Sequence, residues 1–174
     1  IDISRLNNYR IMHLLKKKES INALNFCLSI YKNISTEKLN DFDLLWFIKS
    51  VNEMLLDKSS KNDKYLSDAI RFQITKISTD IKGHPFDLLW REVALYEFQV
   101  GNQSLALKAI KKSKNTFDLA NSPISNWLQI MTTMHEDFIR NKLKNQDDYI
   151  DKNSFVNICY DKNFFRAIRL ASPY

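Results

Sequence analysis

Chemistry needs side chains that can hold a metal, attack an electrophile or move a proton, and this chain lacks the spacings that bring them together. The string His135-Glu136 has the start of a zinc-protease helix, but the second histidine would fall one turn on, where the residue is Ile139. Asp147, Asp148 and Asp151 lack the glycine and closing glutamate of a calcium loop and read as a solvated acidic turn. Cys27 and Cys159 are far apart, each among apolar neighbours and neither beside a histidine. They read as small buried hydrophobes in a reduced compartment. His13 and His84 are isolated, and with only two glycines, Gly83 and Gly101, neither a phosphate loop nor a dinucleotide fingerprint can be written. The expectation is a chain that is not an enzyme, with no cofactor and no metal.

Two basic clusters remain, Lys16-Lys17-Lys18 and the set Lys108, Lys111, Lys112 and Lys114. Lysines near a helix C-terminus complement its dipole; their functional alternative is contact with an acidic partner. The second set is the candidate partner-contact cluster. It contains no arginine and no interleaved aromatic, which ranks a protein partner ahead of nucleic acid. Over the whole chain, 26 basic residues are interspersed with 20 acidic ones, a net charge of +6 without the segregation of a dedicated nucleic-acid binder. No apolar run of about 18 residues suggests a membrane span, and no leader is apparent, so a cytoplasmic location is expected. The first residue is Ile1, not Met, which suggests a piece of a longer protein.

The elements that would carry these residues are helices. Two glycines and three prolines in 174 residues cannot supply the turns of a sandwich, barrel or doubly wound sheet, so the fold class is all-α. Stop and start signals predict helices over about 3–17, after an N-cap at Ser20, after an N-cap at Asp41, over 65–82 beyond a loop at 59–63, and from Pro85 to Val100. A sixth covers about 104–115, and a long seventh starts at Ser122-Pro123, with short helices in the tail. Leu44, Ile48, Val51 and Leu55 make a continuous stripe on the third.

The strongest signal is internal. Phe42-Asp43-Leu44-Leu45-Trp46 recurs unaltered as Phe86-Asp87-Leu88-Leu89-Trp90, each copy opening a helix, and Tyr9, Trp46, Trp90 and Trp127 follow at spacings of 37, 44 and 37. Such spacing fits a unit of two helices whose aromatic residues wedge against neighbours and whose small residues allow close approach. The order Trp90, Val93, Ala94, Gly101-Asn102, Ala106, Ile110, Ser113 resembles the tetratricopeptide repeat. Glu97 and Glu53 stand where that family prefers an aromatic, Asp118 where it prefers proline, and a HEAT-type unit is the alternative. The resemblance implies a single domain over 1–174. Hairpins at about 3–34, 41–83 and 85–119 would stack as a short superhelix closed by capping helices over 122–174. It implies a protein-interaction module of a regulatory, secretion or assembly protein, with a partner peptide or helix in a groove. The alternatives are the sensing or oligomerisation domain of a transcription regulator and a non-catalytic fragment of a larger enzyme.

Overall fold

The computed structural model describes residues 2–57, 63–116, Glu136 and Arg140. Every regular element described is an α-helix, and no strand occurs among the described residues, as the scarcity of glycine predicts. Of the expected loop over 59–63, residues 59–62 lie outside them. So do the helix begun by Ser122-Pro123, Trp127, His135, the Asp147 turn, Cys159 and the capping helices. Close contacts divide the chain into two compact units, Ile1–Ile81 and Lys82–Tyr174.

The first unit holds α1 (Ile3–Lys16), α2 (Ser20–Ile30), α3 (Asp41–Asp57) and α4 (Lys64–Thr75). Helices α1, α2 and α3 pack against one another around Ile11, Leu15, Ala23, Cys27, Leu44, Ile48 and Val51. Polar side chains fix their ends. Ser20, expected as a cap, is the first helical residue of α2, and its hydroxyl donates to Asp57 Oδ2 at 2.7 Å, tying the start of α2 to the end of α3. Asn40, not Asp41, caps α3: its Oδ1 accepts from Asp43 N at 2.8 Å and its Nδ2 donates to Asp43 Oδ2 at 2.6 Å. The Ser4 hydroxyl reaches the same carboxylate from α1 at 2.8 Å.

Helix α4 stops at Thr75, well short of the expected Lys82. Thr75 Oγ1 bonds back to the Phe72 carbonyl, and beyond it Ser78 Oγ accepts from Asp80 N. Such short polar side chains offer the backbone local partners that compete with the helix ladder. The fully buried Gln73 anchors α4 instead, in the connection between α2 and α3. Its Nε2 donates to the carbonyls of Ile34 (2.6 Å) and Glu37 (2.7 Å), and its Oε1 accepts from Leu39 N at 3.0 Å.

The second unit holds α5 (Phe86–Gln99) and α6 (Gln103–Thr116), a tight hairpin closed at both ends. Gly101 turns the chain at φ +89°, a left-handed conformation costly for other residues, and Asn102 N donates to Glu97 O at 2.8 Å. At the far end Gly83 N donates to Thr116 O at 2.6 Å. The three middle residues of the repeated pentapeptide behave alike in both units: Asp43 and Asp87 lie buried in the first turn, with the two leucines after each in the core. Its two ends do not, since Phe42 is 46% exposed and Phe86 5%, and Trp46 is half-buried where Trp90 is 3% exposed. The parallel extends to the following helices, where Leu66, Ala69, Ile70 and Gln73 are buried in the same register as Ala106, Ala109, Ile110 and Ser113. No helix among the described residues is long and apolar enough to cross a membrane.

Candidate functional site

Helix α6 presents its small residues to α5. Ala106, Ala109, Ile110, Ser113 and Thr116 are buried, and the Ser113 hydroxyl donates to the Asp87 carbonyl at 2.5 Å. Small side chains on that face let the backbones approach, which fixes the rotation of α6 and turns the other face outward. On that face stand Leu105, Lys108, Lys111 and Lys112, all exposed. No acidic residue occurs anywhere between Gln103 and Thr116, so nothing within the helix neutralises them.

The four lysines of the predicted cluster do not form one group. Lys112 places its Nζ 4.3 Å from the centre of the Trp90 ring, so its ammonium lies over the indole face. Lys114 turns elsewhere: Nζ donates to Glu136 Oε2 at 2.6 Å, while Arg140 binds Oε1 of the same carboxylate through Nη2 at 2.6 Å and Nε at 3.1 Å. Burial pushes the Glu136 carboxyl up, but hydrogen bonds and charge from Lys114 and Arg140 outweigh it and hold the group below the usual carboxylate range. Of the four, only Lys114 lies in the last turn of α6, so the dipole explanation covers that residue alone. Lys108 and Lys111 are exposed and make no hydrogen bond or ion pair among the described residues.

Elsewhere the potentially reactive residues serve the fold. Cys27 is buried, its Sγ 3.7 Å from Ser50 Oγ, and burial pushes its thiol up to about 12, which removes the thiolate a nucleophile needs. Ser50 itself bonds to the Trp46 carbonyl at 2.8 Å. Burial also raises Tyr31, reinforced by the Asp43 carboxylate nearby. His84 Nδ1 lies 3.4 Å from Asp87 Oδ1 at the start of α5, and His13 is exposed on α1. Lys16, Lys17 and Lys18 are exposed at the end of α1. Among the described residues, no three His, Cys, Asp or Glu side chains are grouped to hold a metal.

Sequence reading grouped the lysines by proximity in the chain. It had no means of finding the partner of Lys114, 22 positions on at Glu136, or the indole beneath Lys112. Compared with protein families, with curated proteins and with solved structures, the chain matches none.

Proposed function

We propose that the chain is a protein-interaction module of the tetratricopeptide type, which binds an acidic peptide or helix of a partner protein along α6. The observation that carries this reading is the exposed row Leu105, Lys108, Lys111 and Lys112 on a helix without acidic residues, held rigidly on α5. Large uncompensated charge beside an apolar anchor favours a partner of opposite charge. Nucleic acid is the weaker fit. The aromatic ring beside the lysines, Trp90, is 3% exposed and covered by Lys112, so it offers no face for a base to stack on.

The test is selection from a displayed peptide library on the immobilised chain, repeated with Lys108→Glu/Lys111→Glu. The expected winners are rich in Asp and Glu around one large apolar residue, and they fail on the charge-reversed variant. Winners that bind parent and variant alike refute the assignment of the surface. Micromolar binding of single-stranded or duplex DNA at physiological salt, lost in the variant, would replace the protein partner by nucleic acid.

A further inference from the structure

Helix α1 has two apolar faces. Ile11 and Leu15 are buried in the first unit, while Leu6 and Tyr9 are 52% and 51% exposed on the opposite side and Ile3, in the first turn beside them, is 71% exposed. Isolated surface hydrophobes are ordinary, but these follow one another along a single helix. At about 100° per residue, Leu6 and Tyr9 lie roughly 60° apart near the middle of the exposed arc. The same geometry puts Arg5 and Lys16 along one edge and Arg10 and Lys17 along the other, and all four are exposed.

The charge on this face has one sign. Residues 3–18 contain Arg5, Arg10, Lys16, Lys17 and Lys18 and no Asp or Glu. Asp2, just before the helix, is engaged as its N-cap, accepting from Arg5 N at 3.3 Å. Two arginines lean on aromatic rings: the Arg5 guanidinium lies 5.9 Å from the Tyr9 ring centre and that of Arg10 4.5 Å from the ring of Phe26 on α2. Both guanidinium groups are thus held against ring faces.

We propose that this face of α1 seats the chain on a bilayer surface rich in anionic lipid. Ile3, Leu6 and Tyr9 would enter the boundary between headgroups and acyl chains, and the flanking cations would meet lipid phosphates. An apolar ridge with an interfacial tyrosine, bordered on both sides by Arg and Lys, is the arrangement of a helix lying in the membrane plane. The ridge belongs to one helix and its flanking residues Arg5, Arg10, Lys16 and Lys17 are exposed, which suits an extended planar surface better than a peptide that must be gripped from two sides. Anionic lipid supplies the opposite charge along the whole helix.

The experiment is flotation of the whole chain with vesicles of phosphatidylcholine alone and with vesicles containing one-third phosphatidylserine, at physiological salt. Association with the second and not the first is expected. Arg5→Gln/Lys16→Gln/Lys17→Gln should weaken it on the order of a hundredfold, given the contribution of each basic residue near an anionic surface. Leu6→Ser/Tyr9→Ser, which leaves the charge unchanged, should weaken it by roughly tenfold or more. All five side chains are exposed, so both variants should keep the parent's helical circular dichroism, which is the control for folding. Failure to bind the phosphatidylserine vesicles overturns the proposal, as does binding that survives either variant. Binding of polyglutamate through these residues without binding of vesicles would likewise overturn it, in favour of an acidic protein.

Discussion

Truncating Trp90 tests the packing on which the second unit depends. The side chain is 97% buried by the complement of its 3% exposure, and a buried indole removes about 200 Å² from water, worth about 5 kcal/mol at 25 cal/mol per Å². Measured truncations of large aromatics in cores cost about 3–5 kcal/mol. For a chain of this size that corresponds to a melting temperature lower by about 10 °C. Two features refine the expectation. Trp90 Nε1 is buried without a hydrogen-bond partner among the described residues, so Trp90→Phe gives up area but no hydrogen bond seen there and should cost about 1–2 kcal/mol. The Lys112 ammonium 4.3 Å from the ring should contribute about 0.5–1 kcal/mol at its exposed position. A double-mutant cycle of Trp90→Phe or Trp90→Ala with Lys112→Met, followed by thermal unfolding in circular dichroism, isolates that coupling. A loss below about 2 °C for Trp90→Ala would refute the burial argument. Equal losses for Phe and Ala would show that the indole N–H is bound after all.

Two further outcomes are expected. Gln73→Leu keeps much of the side-chain volume but strands the carbonyls of Ile34 and Glu37 and the amide of Leu39, and should cost about 3 kcal/mol or more in urea unfolding; a loss under about 1 kcal/mol would mean that water replaces the amide. Because folding raises the Cys27 thiol to about 12 and raises Tyr31, their stabilisation is complete below the unfolded values of about 8.5 and 10 and is lost as pH rises through the folded ones. The melting temperature should fall progressively above about pH 9. In a Cys159→Ser background Cys27 should react with a thiol reagent at pH 8 only when denaturant is added, and prompt reaction without it would refute the assignment.

Legibility in the sequence followed how local the causes are. Helix α5 and the turn into α6 could be read because a repeated pentapeptide, Gly83 and Gly101-Asn102 act over a few residues. The all-helical class followed from the scarcity of glycine and proline together with the helix start and stop signals. The end of α4 was misplaced because Gly83 looked like the stop, whereas the polar residues from Thr75 onward had already drawn the backbone away. Ser20 and Asp41 are both good caps in isolation. Ser20 is instead committed to Asp57 at the far end of α3, and Asn40 caps α3 in place of Asp41. The lysines of α6 were found as a group but not as a divided one, since Glu136 and Trp90 reach them only in three dimensions. The exposed ridge of α1 escaped because Leu6 and Tyr9 look like core residues in a helical pattern; only the burial of Ile11 and Leu15 reveals which face turns inward.

The grip of Gln73 has a dynamic consequence. The segment between α2 and α3 has little regular hydrogen bonding of its own, and its amide and carbonyl groups are satisfied partly by one side chain from α4. Releasing that side chain exposes three backbone groups at once, so loosening of the connection and detachment of α4 share one free energy. In hydrogen exchange the amide of Leu39 and those of the central turns of α4 should therefore open together as one cooperative unit, with equal opening free energies, although more than 25 residues separate them in sequence.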